Sequence, residues 1–213
     1  DAGLPREALL RGEGAATVAR GITNDSRRVV DGSIFVCVRG ATSDGHSFAG
    51  AAVAAGATAL VVEHELAIDV PQVVVPDSRR ALGLLSASYH GNPSRRLAVI
   101  GVTGTNGKTT TTTMLASVLG AGGMSTGVIG TLTGRFTTPE APDLQEQLAA
   151  FVAEGRTAVA MEVSSHALQL HRVAGTHFRV GVFTNLGRDH LDLHGTIEQY
   201  FAAKAMLFEP SMT

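Results

Sequence analysis

Short apolar runs alternate along the chain with longer stretches of mixed polarity. Ser33 to Val38 is a run of β-branched and aromatic residues and predicts a strand. His46 to Gly56 is rich in alanine and closed by glycine, which predicts a helix. Thr58 to Val62 and Gln72 to Val75 predict two more strands, and Asp77 is placed to cap a helix over Ser78 to Tyr89. The sequence His90-Gly91-Asn92-Pro93-Ser94 suits neither helix nor strand and predicts a domain boundary. The alternation then restarts. Strands are expected at Leu97 to Val102, Val128 to Thr131, Thr157 to Val163 and Arg179 to Phe183. Helices are expected at Thr109 to Leu119, Asp143 to Glu154 with Asp143 as its cap, and Ile197 to Phe208. Strands separated by helices imply parallel sheets covered on both faces. The expected fold class is therefore α/β: a small N-terminal α/β domain (1–93) followed by an incomplete P-loop-type parallel-sheet domain (94–213).

Composition narrows the function. The 213 residues are 44% hydrophobic and 17% charged, the balance of a globular chain. Seventeen basic and 19 acidic side chains leave a net charge of −2, so a polyanion would have to be held by a local site. With no basic, aromatic-interleaved stretch, nucleic acid is not an expected partner. Cys37 is the only cysteine, which excludes a disulfide framework and fits a reducing cytoplasm. No apolar stretch reaches the roughly 20 residues of a membrane span.

The strongest chemical signal is Gly101-Val102-Thr103-Gly104-Thr105-Asn106-Gly107-Lys108-Thr109-Thr110, between a predicted strand and a predicted helix. Glycines let the backbone turn so that N–H groups face inward, and the helix N-terminus adds positive potential. Gly104, Thr105, Asn106, Gly107, Lys108, Thr109 and Thr110 are thus candidate phosphate-binding residues. Lys108 is placed to reach phosphate, and the Thr109 hydroxyl to reach Mg2+. Val102 stands where the general pattern has its first glycine, so the loop is a variant. Glu162 ends a predicted strand at the edge where open α/β sheets bind ligands. Thr109 and Glu162 converge there if their strands are neighbours; the alternative is a solvent-exposed glutamate.

Five of the eight histidines fall between His166 and His194. Their spacing is not a zinc pattern and no cysteine is near. His171 and His177 read as packing or surface residues, and His190, beside Asp189, as the better metal or phosphate partner. Spacing alone gives Lys204 no function beyond a solvated helix lysine.

Together, several segments resemble the Mur ligases of peptidoglycan precursor synthesis. They are Asn24-Asp25-Ser26-Arg27, Gly32 to Val36, Asp44-Gly45-His46-Ser47-Phe48, the loop Gly101 to Thr110, Thr137-Thr138-Pro139, Met161 to Leu168, Thr184 to Gly195 and Tyr200 to Phe208. The Glu162-Val163-Ser164-Ser165-His166 segment resembles the branch that adds the third stem residue. The resemblance implies ATP-dependent amide formation: the terminal carboxylate of a UDP-MurNAc-dipeptide (L-Ala-D-Glu) is activated as an acyl phosphate and joined to a diamino acid, diaminopimelate or lysine. It implies Mg2+ held by Thr109, Glu162, His190 and Lys204, the last as a carbamylated lysine, with Lys108 completing the catalytic set. It implies substrate contacts from Ser26, Thr42 and Ser43 at the uracil end, and from Thr137, Thr138, Ser164 and Arg172 elsewhere. Family members continue into a longer central domain and a third domain that receives the amino acid. The chain is therefore expected to be a fragment that does not ligate unaided. Two alternatives stay open: another Mur-type ligase, and a non-catalytic nucleotide-binding module.

Overall fold

The computed structural model describes residues 9–11, 19–210 and 212. The chain divides into two compact units, Asp1–Tyr89 and His90–Thr213. Among the described residues no helix is long and apolar enough to cross a membrane.

The first unit is a five-stranded sheet in the order β1-β5-β4-β3-β2. Its strands are β1 (Leu9–Arg11), β2 (Gly21–Thr23), β3 (Ser33–Val36), β4 (Ala57–Val62) and β5 (Gln72–Val74), with helices α1 (Ala49–Ala54) and α2 (Ser78–Tyr89). Three of the four pairings are parallel; β1 runs antiparallel to β5 at one edge. Phe35, Cys37, Leu60 and Val62 fill the core against Ala49 and Ala52 of α1. The small alanines let α1 lie close on the sheet. The helix predicted from His46 begins instead as a 3-10 turn, Gly45–Phe48, because the Asp44 side chain caps the His46 N–H and starts the tighter turn. Strands β1 and β2 went unpredicted; each has only three residues, too few to show a period.

The second unit is a fully parallel four-stranded sheet in the order β7-β8-β6-β9. The strands are β6 (Ala98–Thr103), β7 (Thr126–Ile129), β8 (Ala158–Glu162) and β9 (Val180–Phe183). The helices are α3 (Lys108–Ala121), α4 (Ala141–Ala153), α5 (Ser165–Gln169), α6 (Leu191–His194) and α7 (Ile197–Ala205). Strand β8 is buried at every residue, as a central parallel strand must be. Val99, Val159, Met161, Leu144, Leu148, Phe178 and Leu207 form one core.

Of the boundaries that differ from the pattern reading, three show a cause or a consequence. Helix α4 starts at Ala141, with Glu140 in the capping position and Pro142 in the first turn, so Asp143 lies inside that turn rather than capping it. Strand β7 lies two residues earlier than expected, because Thr126 to Ile129 are the residues in register with Ala158 to Met161 of β8. Helix α7 ends at Ala205 and continues as a 3-10 turn, Met206–Phe208.

Candidate functional site: a phosphate loop joined to a buried glutamate

Strands β6 and β8 are neighbours, with Val102 opposite Glu162. The loop after β6 and the end of β8 therefore meet at the C-terminal edge of the sheet. Glu162 is only 2% exposed, which excludes the solvent-exposed alternative. Its Oε2 accepts from the Thr109 hydroxyl at 3.0 Å, and its Oε1 accepts from the Thr131 N–H at 2.9 Å. Gly130 has no side chain because a Cβ there would run into the Glu162 carboxylate. A cleft of about 220 Å3 beside this pair is lined by Thr109, Thr112, Thr113, Gly130, Thr133 and Glu162, among others.

The loop itself turns at Gly104 and Gly107, with φ of 138° and 83°. A Cβ on Gly104 would collide with the Thr184 hydroxyl, so this position admits no side chain. The segment after β9 braces the loop. Asn185 O accepts from Thr105 N, Asn185 Oδ1 accepts from Asn106 N, and Thr184 donates to Asn106 O at 2.7 Å. Among the described residues no side chain caps the N-terminus of α3. Its first-turn N–H groups, which have no intrahelical acceptor, thus remain to meet an anion.

Two ammonium groups converge on one carbonyl. Lys108 Nζ donates to Gly104 O and Thr105 O at 2.9 and 2.8 Å, and Lys204 Nζ donates to Gly104 O at 2.9 Å. Lys204 is 1% exposed and its Nζ lies 4.1 Å from the Tyr200 ring centre. Burial pushes the Lys204 ammonium down to about 8, although the Asp189 carboxylate opposes the shift. Lys108 is also held below its ordinary value, first by burial and then by the neighbouring Lys204 charge. Spacing alone made Lys204 a solvated lysine; its surroundings are the reverse.

The histidines cluster about the same helix. His166 lies against His190 and His194, with ring centres 5.6 and 6.0 Å apart, and Tyr200 lies 6.2 and 5.0 Å from His190 and His194. His190 is exposed, in a left-handed conformation at the head of α6, with Nε2 3.6 Å from Asp189 Oδ2. His194 is buried and shares a hydrogen bond with Ser165 Oγ at 3.0 Å. Burial lowers both His166 and His194, and their neighbours' charges add to it.

Thr137 Oγ1 lies 3.0 Å from Thr131 Oγ1. Thr138 is buried; its hydroxyl donates to Glu162 O and accepts from Ser164 N, which ties the two segments together. Ser164 caps α5 by accepting from Ala167 N. The Arg172 guanidinium is ion-paired to Glu140 at 2.7 Å, donates to Thr138 O, and lies 5.3 Å from the Phe136 ring centre. Its buried Nε–H has no partner among the described residues.

In the first unit, Ser26 and Ser43 line one cleft of about 520 Å3 with Asn24, Asp25, Arg27 and Phe48. Thr42 is exposed beside Ser43 on the same loop.

The Mur ligase middle-domain profile matches residues 102–212, and the profile of the Mur ligase family catalytic domain matches 18–90. The chain belongs to the Mur ligase family. It is 52% identical over 193 residues to the UDP-N-acetylmuramoyl-L-alanyl-D-glutamate–2,6-diaminopimelate ligase of Geobacillus kaustophilus, covering 86% of this chain and 40% of that protein. It is 48% identical over 210 residues to the protein of the same name from Chlorobaculum tepidum, covering 93% and 41%. A solved structure of a ligase with that name superposes with a TM-score of 0.78 at 36% identity, over 89% of this chain and 41% of the other. The Mur ligase MurF of Thermotoga maritima, solved in complex with ADP, gives 0.65 at 27% identity, over 91% and 44%. The chain thus spans about two-fifths of the length of the relatives it matches.

MgATP, the group the resemblance implies, would meet a donor set that fits it in kind. The Glu162 carboxylate and Thr109 hydroxyl are hard oxygens suited to Mg2+, and the start of α3 offers N–H groups to phosphate. Among the described residues no group of three or more His, Cys, Asp and Glu side chains is gathered to hold a metal. A cation here would need phosphate or other oxygens to complete its shell. Sequence reasoning passed over Thr131, Thr184 and Asn185. The last two lie in a segment quoted for the resemblance, but their role, holding the loop from the neighbouring strand, depends on a strand order the sequence does not state.

Proposed function

We propose that this chain is part of a UDP-N-acetylmuramoyl-L-alanyl-D-glutamate–2,6-diaminopimelate ligase, and that its second unit holds MgATP while its first unit takes the uridine end of the nucleotide sugar. The observation that carries the reading is the Thr109–Glu162 contact beside the glycine loop, with two lysines meeting at Gly104 O. The shared name of the relatives supports diaminopimelate as the amino acid. When bound, MgATP would supply the phosphoryl group that makes the substrate carboxylate an acyl phosphate, open to attack by the incoming amine with loss of phosphate.

The chain's own residues do the rest. Gly104 to Thr110 orient phosphate through main-chain N–H groups, and Lys108 leaves its carbonyl partners to screen charge. Thr109, Glu162 and His190 would hold magnesium. Lys204 is buried with a depressed ammonium, and the neutral amine this favours is the form that adds carbon dioxide to become a carbamate, releasing one proton. The anion so formed would be a further magnesium ligand. Arg172 offers its unpartnered Nε–H edge to an anionic group of the substrate, with Thr137, Thr138 and Ser164 beside it. Ser26, Thr42 and Ser43 serve the uracil end.

Calorimetry tests the reading directly. MgADP should bind the 213-residue chain, and Lys108→Ala should abolish the heat. Equal heats from both proteins would overturn it. Amino-acid-dependent phosphate release should be absent from this chain alone.

A further inference from the structure

The Asp44-Gly45-His46-Ser47-Phe48 segment has no part in the chemistry above, yet it is densely bonded within the first unit. His46 is 8% exposed. Its Nε2 accepts from the Glu63 N–H at 2.9 Å, so that nitrogen carries no proton. The proton is on Nδ1, which donates to Asp44 Oδ1 at 2.6 Å. Asp44 Oδ1 also accepts from His46 N. The His64 ring stacks on His46 with centres 4.6 Å apart.

Glu63 anchors both ends of the loop. Arg39, at its entry, pairs with Glu63 Oε2 at 3.2 Å and lies 3.6 Å from Asp44 Oδ2. His46, at its exit, takes the Glu63 N–H. Glu63 Oε1 in turn accepts from the N–H and hydroxyl of Ser78 at the start of α2. Between the anchors the loop closes on itself, with Gly40 N donating to Ser43 O and Gly45 N to Val38 O. A Cβ on Gly45 would meet the Val38 main chain at 2.6 Å, so the closure requires glycine. Ser43 and Phe48, on either side of His46 in the chain, both line the Ser26 cleft.

We propose that neutral His46, pinned between the Asp44 carboxylate and the Glu63 N–H, is a positioning residue that sets Ser43 and Phe48 for a uridine nucleotide. It touches no ligand itself. The inference rests on the reading of the Ser26 cleft as the uracil end.

The test uses the 213-residue chain with UDP as the probe, alongside amide protection of Gly40, Gly45 and Glu63 by NMR. His46→Ala should weaken UDP binding about tenfold, roughly the loss of one such anchor, and should free the three amides. His46→Gln, whose carbonyl can accept from Glu63 N–H, should recover most of both. Unchanged affinity in His46→Ala would overturn the proposal. Should His46→Ala fail to fold, His46→Leu, which fills the same space without an acceptor for the Glu63 N–H, takes its place with the same outcomes. If UDP does not bind the wild type but His46→Ala still frees the amides, the uridine reading fails and the anchor stands. If neither occurs, both fail.

Discussion

In the second unit, the candidate site is assembled from groups far apart in the chain. Thr109 meets Glu162 across 53 residues, and Lys204 meets Gly104 across 100. In the first unit the turn that carries Ser26 to its cleft is held locally: Asp25 accepts from Arg27, two residues on. One site is buried and depends on strand order; the other is exposed and depends on turns. Electrostatics in the buried site are screened little and those in the exposed site heavily. The same kind of substitution should therefore have very different consequences in the two.

Glu162→Ala should show the largest effect. It leaves the Thr131 N–H and Thr109 hydroxyl without their acceptor and opens a cavity where the buried Glu162 side chain stood, costing about 3 kcal/mol or more. Ser26→Ala, at the rim of the exposed cleft, should cost within about 0.5 kcal/mol. Chemical denaturation of both variants checks the contrast, and similar costs would break it. Glycines repeat the comparison at a smaller scale. Gly104→Ala forces a side chain toward Thr184 at φ 138° and should cost about 2 kcal/mol or more. Gly32→Ala, at φ 83°, meets only the flexible Arg20 side chain at 3.0 Å and should cost about 1 kcal/mol.

The same contrast governs what could be read in advance. The glycine loop and Thr109 were legible because a strand, a turn and a helix N-terminus are contiguous in sequence. The α/β alternation was legible because β6, β8 and β4 are short apolar runs. Lys204 was not: its helix spacing is that of a solvated residue, and only the strand order brings Gly104 O to it. Thr184 and Asn185 were missed for the same cause. The start of α4 was misread because Asp143 is an acceptable cap, while Pro142 one position earlier decides the matter. Antiparallel β1 was missed because three residues carry no period.

Lys204 gives a sharper test, because its effect should depend on pH. Its ordinary value is 10.5 and the folded value about 8, so the unfolded chain binds more protons between them. Stability should rise with pH from about 8 to 10.5 on this account, and below 8 the buried charge is a standing cost. Lys204→Met removes both the charge and the slope. It should be more stable than the wild type at neutral pH, with the two curves closing toward pH 10.5. Parallel curves of denaturation midpoint against pH would show that the ammonium is not held down by burial.

The smallest effect belongs to Asp25, and it completes the comparison from the exposed side. Hydrogen bonds from the Arg27 side chain hold its carboxyl at about 2, below the ordinary 3.8. A depressed carboxyl contributes stability that is present in full above the ordinary value and is lost as pH falls through about 2. Asp25→Asn keeps an oxygen to accept from Arg27 N, so the turn survives and only the charge is removed. In low salt at neutral pH the melting temperature should fall by about 1–2 °C, and the wild-type advantage should disappear toward pH 2. Added salt should shrink that advantage, since Arg27 lies in solvent. The Lys204 slope should resist the same salt, because its cause is desolvation rather than a screened partner. If salt altered both alike, the division between a buried site and a surface site would be wrong.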